Sequence, residues 1–508
     1  MAEISRTQRA SRDTQILVNN GMILLSRRLL LWVFSGVLVL FLPKYLGDQG
    51  LGQLAFAQSV AALFTTFLAL GLSEFLIKEF ARNNALIKSH LTSAIGLRIV
   101  MSLLVVGAVF VLARLTDYST DATNIIFLAT GAAIAMSFMR LMVAVLHGLE
   151  EMRFPAVSEV ISRFLVVAIG VPILVQGMGV VAYGGVLFAA AIVNLGINAA
   201  YVGRRFPVGI SLNMVKIKYL LTGAMPFLFM GFLLDIYNQT DIVILRIFTN
   251  EAVVGWYAAA NNIYKTIDML PLALTAAILP TLSRVYSQGA DASVAIAKKS
   301  IAIGALGIVP LSIGISLFSN EIITTLPYPD SFQHTVPLLT ILALTIPITA
   351  FLVILGTIAV AVDRQKAWAI ALFATVLMNV ILNIVAAPYF QENYGNGGIG
   401  VALTTLATET IMVVYGVFLM PKGVIDRATG VTLIKVAVSA GVMAAVVLMV
   451  RAAGLGPVPT VLLGGLTYVA VALATKAVPL NDLRYVLDVV RRRLKSDNSD
   501  EAAGGVER

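Results

Sequence analysis

Two charged residues lie close to the middle of one long apolar segment. Lys265 and Asp268 fall within 252–282, a stretch that is otherwise predominantly apolar. A charge at that depth in a membrane span costs about 2.5–3.5 kcal/mol on insertion scales, so such side chains face a partner or a water-filled space. Their i,i+3 spacing puts both on one face of a helix. They are therefore either a self-neutralising pair or part of a binding surface.

Further polar groups continue the same helix face. Asn261 precedes Lys265 by four residues, and Tyr257 precedes Asn261 by four. Residues at this spacing are neighbours on a helix surface. The stripe of Tyr257, Asn261, Lys265 and Asp268 is therefore a candidate binding surface for a polar or anionic ligand. Asp268 would hold the lysine or take up a coupling proton or sodium ion.

Five arginines lie inside other apolar segments: Arg27, Arg28, Arg98, Arg140 and Arg163. A guanidinium binds phosphate bidentately and keeps its charge. Arg27 and Arg28 are about 100° apart on a helix, so both cannot face the same way. The other three lie roughly 10 Å from the predicted cytoplasmic ends of their spans. Each arginine either reaches the lipid headgroups or contributes to a basic funnel that receives a phosphate.

The remaining polar residues in apolar segments have structural alternatives. Glu409, which stands among threonines, is either a protonated structural group or an ion-coupling carboxyl. Asp235 and Asp241 are expected near the outer surface, where water hydrates them. Asn379 and Asn383 are spaced i,i+4 and are expected to form a clamp between helices, since amide side chains link membrane helices.

The composition identifies the elements that must position these residues. The chain has 508 residues, of which 59% are hydrophobic and 12% are charged, and its mean hydropathy is +0.91. Soluble domains carry roughly 25% charged residues, so an all-α polytopic membrane protein is predicted. The chain has no cysteine, and its three histidines lie far apart in sequence. Disulfides are thereby excluded, and no metal site or other cofactor is expected.

Fourteen segments have the length and apolarity of a membrane span, since about 20 apolar residues cross a hydrocarbon core of about 30 Å. They lie at roughly 18–42, 51–73, 92–114, 123–146, 156–176, 180–202, 219–239, 252–282, 300–320, 335–361, 366–388, 397–420, 431–453 and 457–478. The loops between them are short, which leaves no room for an extramembrane domain.

Positive charge is distributed unequally between alternate loops. Of the 36 Lys and Arg residues, 25 lie in the termini and one set of loops, and only Lys44, Arg114, Arg246 and Arg451 lie in the other set. The protein is expected to cross the plasma (inner) membrane several times, and the positive-inside rule then places both of its termini in the cytoplasm. The net charge of +9 therefore reflects topology and anionic lipids rather than nucleic acid.

An internal repeat is visible at an offset of 203 residues. With Gly52 aligned on Gly255, GQLAFAQS lies over GWYAAANN, and GMGVVAYGG at 177–185 resembles GNGGIGVAL at 395–403. Repeated halves are typical of transporters. The predicted organisation is a cytoplasmic N-terminus (1–17), an N-lobe of six helices (18–210), a C-lobe of six helices (211–420), two further helices (421–479) and a basic cytoplasmic tail (480–508).

Several motifs resemble those of a known transporter family. They are PKYLGDQGLGQLAFAQS (43–59), LGLSEFLIKEFAR (70–82), YNQTDIVIL (237–245), VGWYAAANNIYK (254–265), ILPTLSR (278–284) and MNVILNIVAAPYF (378–390). In this order they resemble the Wzx-type oligosaccharide flippases of the multidrug/oligosaccharidyl-lipid/polysaccharide (MOP) exporter superfamily.

The resemblance implies two lobes around a central cavity that opens to one side at a time. The substrate would be a polyprenyl-diphosphate-linked oligosaccharide, moved from the cytoplasmic to the outer leaflet for cell-surface polysaccharide such as lipopolysaccharide O-antigen. No covalent chemistry is implied. The expected partners are the lipid-linked oligosaccharide, membrane lipids, a coupling proton or sodium ion, and polysaccharide polymerase or assembly proteins.

Three other functions compete with this interpretation. Drug antiporters of the same superfamily usually have twelve spans and need acidic residues, whereas the deep charges of the N-terminal half are all basic. Lipid II flippases usually carry Ser-Pro-Arg-Glu after the second span, where this chain reads GLSEFLIKEF. A membrane glycosyltransferase or polymerase needs a large loop with a carboxylate or metal constellation, and the longest predicted outer loop has about fifteen residues.

Overall fold

Helices make up almost all of the described chain. The computed structural model describes residues 2–116, 118–207, 209–267, 290–421 and 423–477, and no strand occurs within these ranges. The predicted all-α fold is confirmed. The helices are α1 (Ala2–Ala69), α2 (Leu72–Arg82), α3 (Ile87–Leu115), α4 (Thr120–Gly148), α5 (Arg153–Val175), α6 (Gly179–Arg205), α7 (Met214–Phe248), α8 (251–267), α9 (Ala290–Leu317), α10 (Ser319–Thr325), α11 (Val336–Ala361), α12 (Gln365–Tyr394), α13 (Gly397–Leu419), α14 (Arg427–Ala452) and α15 (Pro457–Ala474).

Most of the described helices are long and apolar enough to cross a membrane. Eleven of them meet this criterion of length and apolarity, and counting α7, which is bent by 45° near its middle, as one span raises the number to twelve. The apolar part of α1, Ser26–Ala69, has 44 residues, or about 66 Å of helix, twice the hydrocarbon core. Gly47 interrupts it with a φ of 66°, a backbone conformation that favours glycine. The predicted span 252–282 extends beyond the described residues, so the count of fourteen stays a prediction.

The chain divides into two compact units. Unit 1 comprises Met1–Thr266, Ile323–Leu339 and Leu372–Thr408. A large apolar cluster joins α2, α3, α4 and α7 within it, around fully buried residues such as Phe80 and Leu91. Such burial of several helix faces in one cluster fixes their relative positions. The six-helix lobes and their boundaries stay a prediction.

Unit 2 comprises Ile267–Ile322, Thr340–Ala371 and Glu409–Arg508. One of its apolar clusters packs α9 against α11, and another packs α9 against α14 and α15. Asp426 caps α14 by accepting the Thr429 N–H at 2.9 Å, and it also accepts from Lys298 Nζ at 2.6 Å. The Lys298 hydrogen bond, and then the Thr429 N–H, lower the pKa of Asp426 to about 2.

The repeat predicted around Gly52 reappears as a reciprocal contact between α1 and α8. A Cβ on Gly52 would collide with the Glu251 carbonyl oxygen, and a Cβ on Gly255 would collide with that of Asp48. Asp48 and Glu251 are separated by the same offset as the two glycines. Each helix therefore presents a glycine to the equivalent backbone position of the other.

Side-chain hydrogen bonds follow the same local two-fold relation. Gln53 Nε2 donates to Glu251 Oε2 at 2.7 Å, and Trp256 Nε1 donates to Asp48 Oδ2 at 3.1 Å. Gln53 and Trp256 are again equivalent positions of the repeat. We call this set of six residues the glycine seam: Asp48, Gly52, Gln53, Glu251, Gly255 and Trp256.

Candidate functional site

Two of the predicted arginines lie where α1 and α5 pack side by side. Arg27 Nη1 donates to Glu159 Oε2 at 2.9 Å, and Arg163 Nη2 donates to Ser35 Oγ at 3.3 Å. Ser35 lies well inside the predicted span 18–42. The Arg163 guanidinium is therefore held at membrane depth, which argues against its reaching the headgroups.

Two more arginines meet between α3 and α4. Arg98 is fully buried, and its Nη1 donates to Ser137 of α4. Its Nε and Nη2 have no acceptor within the described part of the chain. Arg140 of α4 is exposed and lies close enough to repel the Arg98 charge, while Glu74 attracts it. Burying a guanidinium with so few acceptors costs free energy. Buried polar groups that have only a structural role are nearly always hydrogen-bonded.

The polar stripe on α8 changes its environment along the helix. Tyr257 is buried and donates its hydroxyl to Asp241 Oδ2 at 2.7 Å. Asn261 is partly buried and Lys265 is exposed. Asp268 lies outside the described residues. The stripe therefore runs from a buried hydrogen bond at Tyr257 to an exposed ammonium at Lys265.

Asp241 was expected to be hydrated near the outer surface, but protein groups surround it. Its Oδ1 accepts from Asn383 Nδ2 at 2.8 Å, and Thr405 Oγ1 approaches Oδ2 at 3.5 Å. The Lys265 charge also attracts this carboxylate. Asp241 therefore belongs to a network that joins α7, α8, α12 and α13, all within unit 1.

The interhelical clamp expected of two asparagines is part of that network. Asn383 Nδ2 also donates to Asn379 Oδ1 at 3.0 Å, within α12. Asn379 Nδ2 in turn donates to Thr408 Oγ1 of α13 at 3.3 Å, and Thr404 donates to Asn383. Because the two amides bond to each other and to threonines of α13, they hold α12 against α13. They also orient the Asn383 amide so that it donates to Asp241.

Two other carboxyls accept hydrogen bonds from threonine hydroxyls. Glu409 is buried and accepts from Thr349 Oγ1 at 2.5 Å, inside unit 2. Asp235, also expected to be hydrated, accepts from Thr66 of α1.

Sequence reasoning did not single out Trp32. Its side chain is 48% exposed, and its indole Nε1 donates to the Thr266 carbonyl oxygen of α8 at 3.2 Å. Arg28, which is also exposed, precedes it by four residues and shares its helix face. Tryptophan is enriched at membrane interfaces, so one near the middle of a predicted span was the available signal.

Comparison with known families settles the class of protein. A family model described as polysaccharide biosynthesis protein matches residues 17–286, just over half of the chain. The chain belongs to this polysaccharide biosynthesis protein family. A second family model, MatE, matches residues 226–385. No curated protein sequence matches the chain.

Solved structures of other proteins show the same fold. A lipid II flippase MurJ in an inward closed conformation is 15% identical, with a TM-score of 0.73 over 90% of this chain and 99% of that one. An inward-facing multidrug resistance MATE family transporter of the MOP superfamily is 16% identical, with a TM-score of 0.60 over 76% and 93%. This member of the polysaccharide biosynthesis protein family thus shares the fold of a lipid II flippase and of a MATE family transporter.

Proposed function

We propose that the protein is a Wzx-type flippase for polyprenyl-diphosphate-linked oligosaccharide. It would carry this substrate by alternating access from the cytoplasmic to the outer leaflet of the plasma membrane, with both termini cytoplasmic. The observation that carries the proposal is the position of Arg163, whose guanidinium is held at Ser35 inside a predicted span. A lipid-linked sugar must hide its diphosphate from hydrocarbon as it crosses, and an arginine at that depth can bind it bidentately.

The ion pair of Arg27 and Glu159 supports an anionic substrate. Glu159 neutralises the guanidinium in the absence of substrate, so the empty site avoids an unpaired charge. A diphosphate would take over Arg27 from Glu159 and gain a second cation at Arg163. Binding would then depend on exchange of one anion for another, which costs less than uncovering a bare arginine.

The wider charge distribution favours the same substrate class. All five cations inside the N-terminal spans are arginines: Arg27, Arg28, Arg98, Arg140 and Arg163. Lys265 adds an exposed ammonium on α8. A drug-cation antiporter would need acidic groups to dominate these positions, because like charges repel a cationic ligand.

Transport across reconstituted vesicles tests this function. The purified protein is placed in liposomes carrying a polyprenyl-diphosphate-linked oligosaccharide, and the fraction of glycan open to an impermeant glycosidase is followed over time. We expect the native protein to expose the inner pool and Arg163→Ala to lose most of this activity. Arg114→Ala, which removes an exposed cation that lies against Phe110, is the control and should retain it.

Two results would contradict the proposal. The first is a native protein that leaves the inner pool of glycan closed to the enzyme while a fluorescent organic cation is transported. The second is full glycan transport by Arg27→Ala, Arg163→Ala and Lys265→Ala alike, because the bound diphosphate would then need none of these cations.

A further inference from the structure

One face of α1 carries a cation, an aromatic ring and a hydroxyl in succession. Arg28, Trp32 and Ser35 are spaced i,i+4 and i,i+3, so they share that face. Ser35 holds the Arg163 guanidinium at 3.3 Å. The row from Arg28 to Ser35 is about 10 Å long at 1.5 Å per residue. Along this face, Arg28 precedes Trp32 by about one turn, and the Arg163 guanidinium at Ser35 follows it by about one turn.

The indole is oriented but not covered. Its N–H is fixed by the Thr266 carbonyl oxygen at 3.2 Å, yet 48% of the side chain remains exposed. Lys265, the neighbour of Thr266 on α8, is exposed as well. Charged side chains in membrane segments face a polar partner or water, so the exposed Arg28 and Lys265 indicate that these parts of α1 and α8 do not face hydrocarbon.

We propose that Trp32 is the stacking surface for the sugar directly attached to the diphosphate. The Arg163 guanidinium at Ser35 binds the diphosphate, and the apolar face of the first sugar ring lies on the indole. The hydrogen bond to Thr266 fixes the orientation of the ring before the substrate arrives, which lowers the entropic cost of binding. This inference rests on the proposed function and adds the residue that distinguishes a glycosylated carrier from a bare one.

Binding of two probe lipids separates the sugar contact from the phosphate contact. The probes are a short-chain polyprenyl diphosphate bearing one hexose and the same lipid diphosphate without sugar, titrated onto the full-length protein in detergent. Trp32→Ala should bind the hexose-bearing lipid about tenfold more weakly and the bare diphosphate unchanged. Arg163→Ala should weaken both probes.

Trp32→Phe separates stacking from a structural role. Phenylalanine keeps an aromatic face but cannot donate to Thr266. The proposal expects Trp32→Phe to keep most of the affinity for the hexose-bearing lipid, whereas a purely structural role of the hydrogen bond expects it to behave like Trp32→Ala. Equal behaviour of the two variants overturns the proposal, as does a Trp32→Ala variant that weakens both probes or neither.

Fluorescence reports where the ring faces. The signal that disappears in Trp32→Phe is assigned to Trp32, and its quenching is compared between phospholipids with brominated acyl chains and the hexose-bearing probe. If only the probe quenches the Trp32 emission or shifts its wavelength, the proposal is supported. If only the brominated lipids quench this emission strongly, Trp32 lies at the lipid surface and the proposal is overturned. If the native protein binds neither probe, the proposed function itself fails, a result distinct from selective loss in the variants.

Discussion

Asp241 collects hydrogen bonds from three other helices of unit 1. Tyr257 donates from α8 and Asn383 from α12, and Thr405 of α13 lies at 3.5 Å. A carboxylate in a membrane segment needs polar or charged partners to offset the cost of burying its charge. Such residues commonly mark ion pathways. The hydroxyl oxygens of Tyr257 and Thr405 beside the carboxylate suit a proton or a hard cation such as sodium. We therefore propose Asp241 as a group through which a coupling cation would drive transport.

Neutralising Asp241 should uncouple transport from an ion gradient. Asp241→Asn keeps the size of the side chain and removes its charge, so we expect glycan transport in vesicles to lose its stimulation by an imposed sodium or proton gradient. Glu409→Gln is the matched change at the other buried carboxyl and should keep the stimulation. The opposite pattern would assign coupling to Glu409, and stimulation retained in both variants would exclude both residues.

Sequence reasoning located the candidate residues but not their partners in the fold. The arginines and the α8 stripe follow from charge in apolar segments and from i,i+4 spacing, which are local properties. The ligands of Asp241 include Asn383, 142 residues away in the chain, and Trp32 is bonded to Thr266 at a separation of 234 residues. No periodicity within one helix encodes those contacts, so Asp241 was expected in water and Trp32 was passed over.

The glycine seam shows how two helices use the same sequence position to approach one another. Only a hydrogen side chain fits where Gly52 meets the Glu251 backbone and where Gly255 meets the Asp48 backbone. Small residues at such points allow close packing of membrane helices. The hydrogen bonds of Gln53 and Trp256 lie on either side of the contact and fix the register between α1 and α8.

Replacing either glycine of the glycine seam by alanine should destabilise the protein to a similar extent. Gly52→Ala and Gly255→Ala each force a Cβ against backbone, so we expect each to cost roughly 1–3 kcal/mol, read as a lower thermal unfolding midpoint in detergent. The double variant should lose less than the sum, because one separation of the helices relieves both collisions.

Gly107 provides the control for the seam. A Cβ there meets nothing within 4 Å, and alanine has the better helix propensity, so Gly107→Ala should be neutral or slightly stabilising. A Gly52→Ala variant as stable as Gly107→Ala would show that α1 and α8 do not approach as closely as described.

The elements themselves were largely predictable, whereas their grouping was not. Runs of apolar residues gave the helices because a bilayer requires about 20 of them per crossing, and the repeat at Gly52 and Gly255 was found from sequence alone. The compact units combine segments that are distant in the chain: unit 1 takes in Ile323–Leu339 and Leu372–Thr408 as well as the N-terminal residues. Such grouping depends on which apolar faces fit together, and hydrophobicity does not distinguish one apolar face from another.

At the scale of the whole molecule, the direction of transport depends on its orientation in the membrane. The proposed orientation follows from the excess of Lys and Arg in one set of loops. Because the chain has no cysteine, single cysteines can be introduced without a background of native thiols. Asn84 lies in a predicted cytoplasmic loop and Ser119 in a predicted outer loop, and both are exposed.

In intact cells, a membrane-impermeant maleimide should label Ser119→Cys at once and Asn84→Cys only after the membrane is permeabilised. The physical reason is that the basic residues beside Asn84, Arg82 and Lys88, resist translocation, whereas the loop at Ser119 has only Arg114 nearby. Permeabilised cells control for the reactivity of each thiol. The reverse labelling pattern would place the termini outside, and a flippase in that orientation would present the Arg27 end of α1 to the outer leaflet, contrary to loading from the cytoplasm.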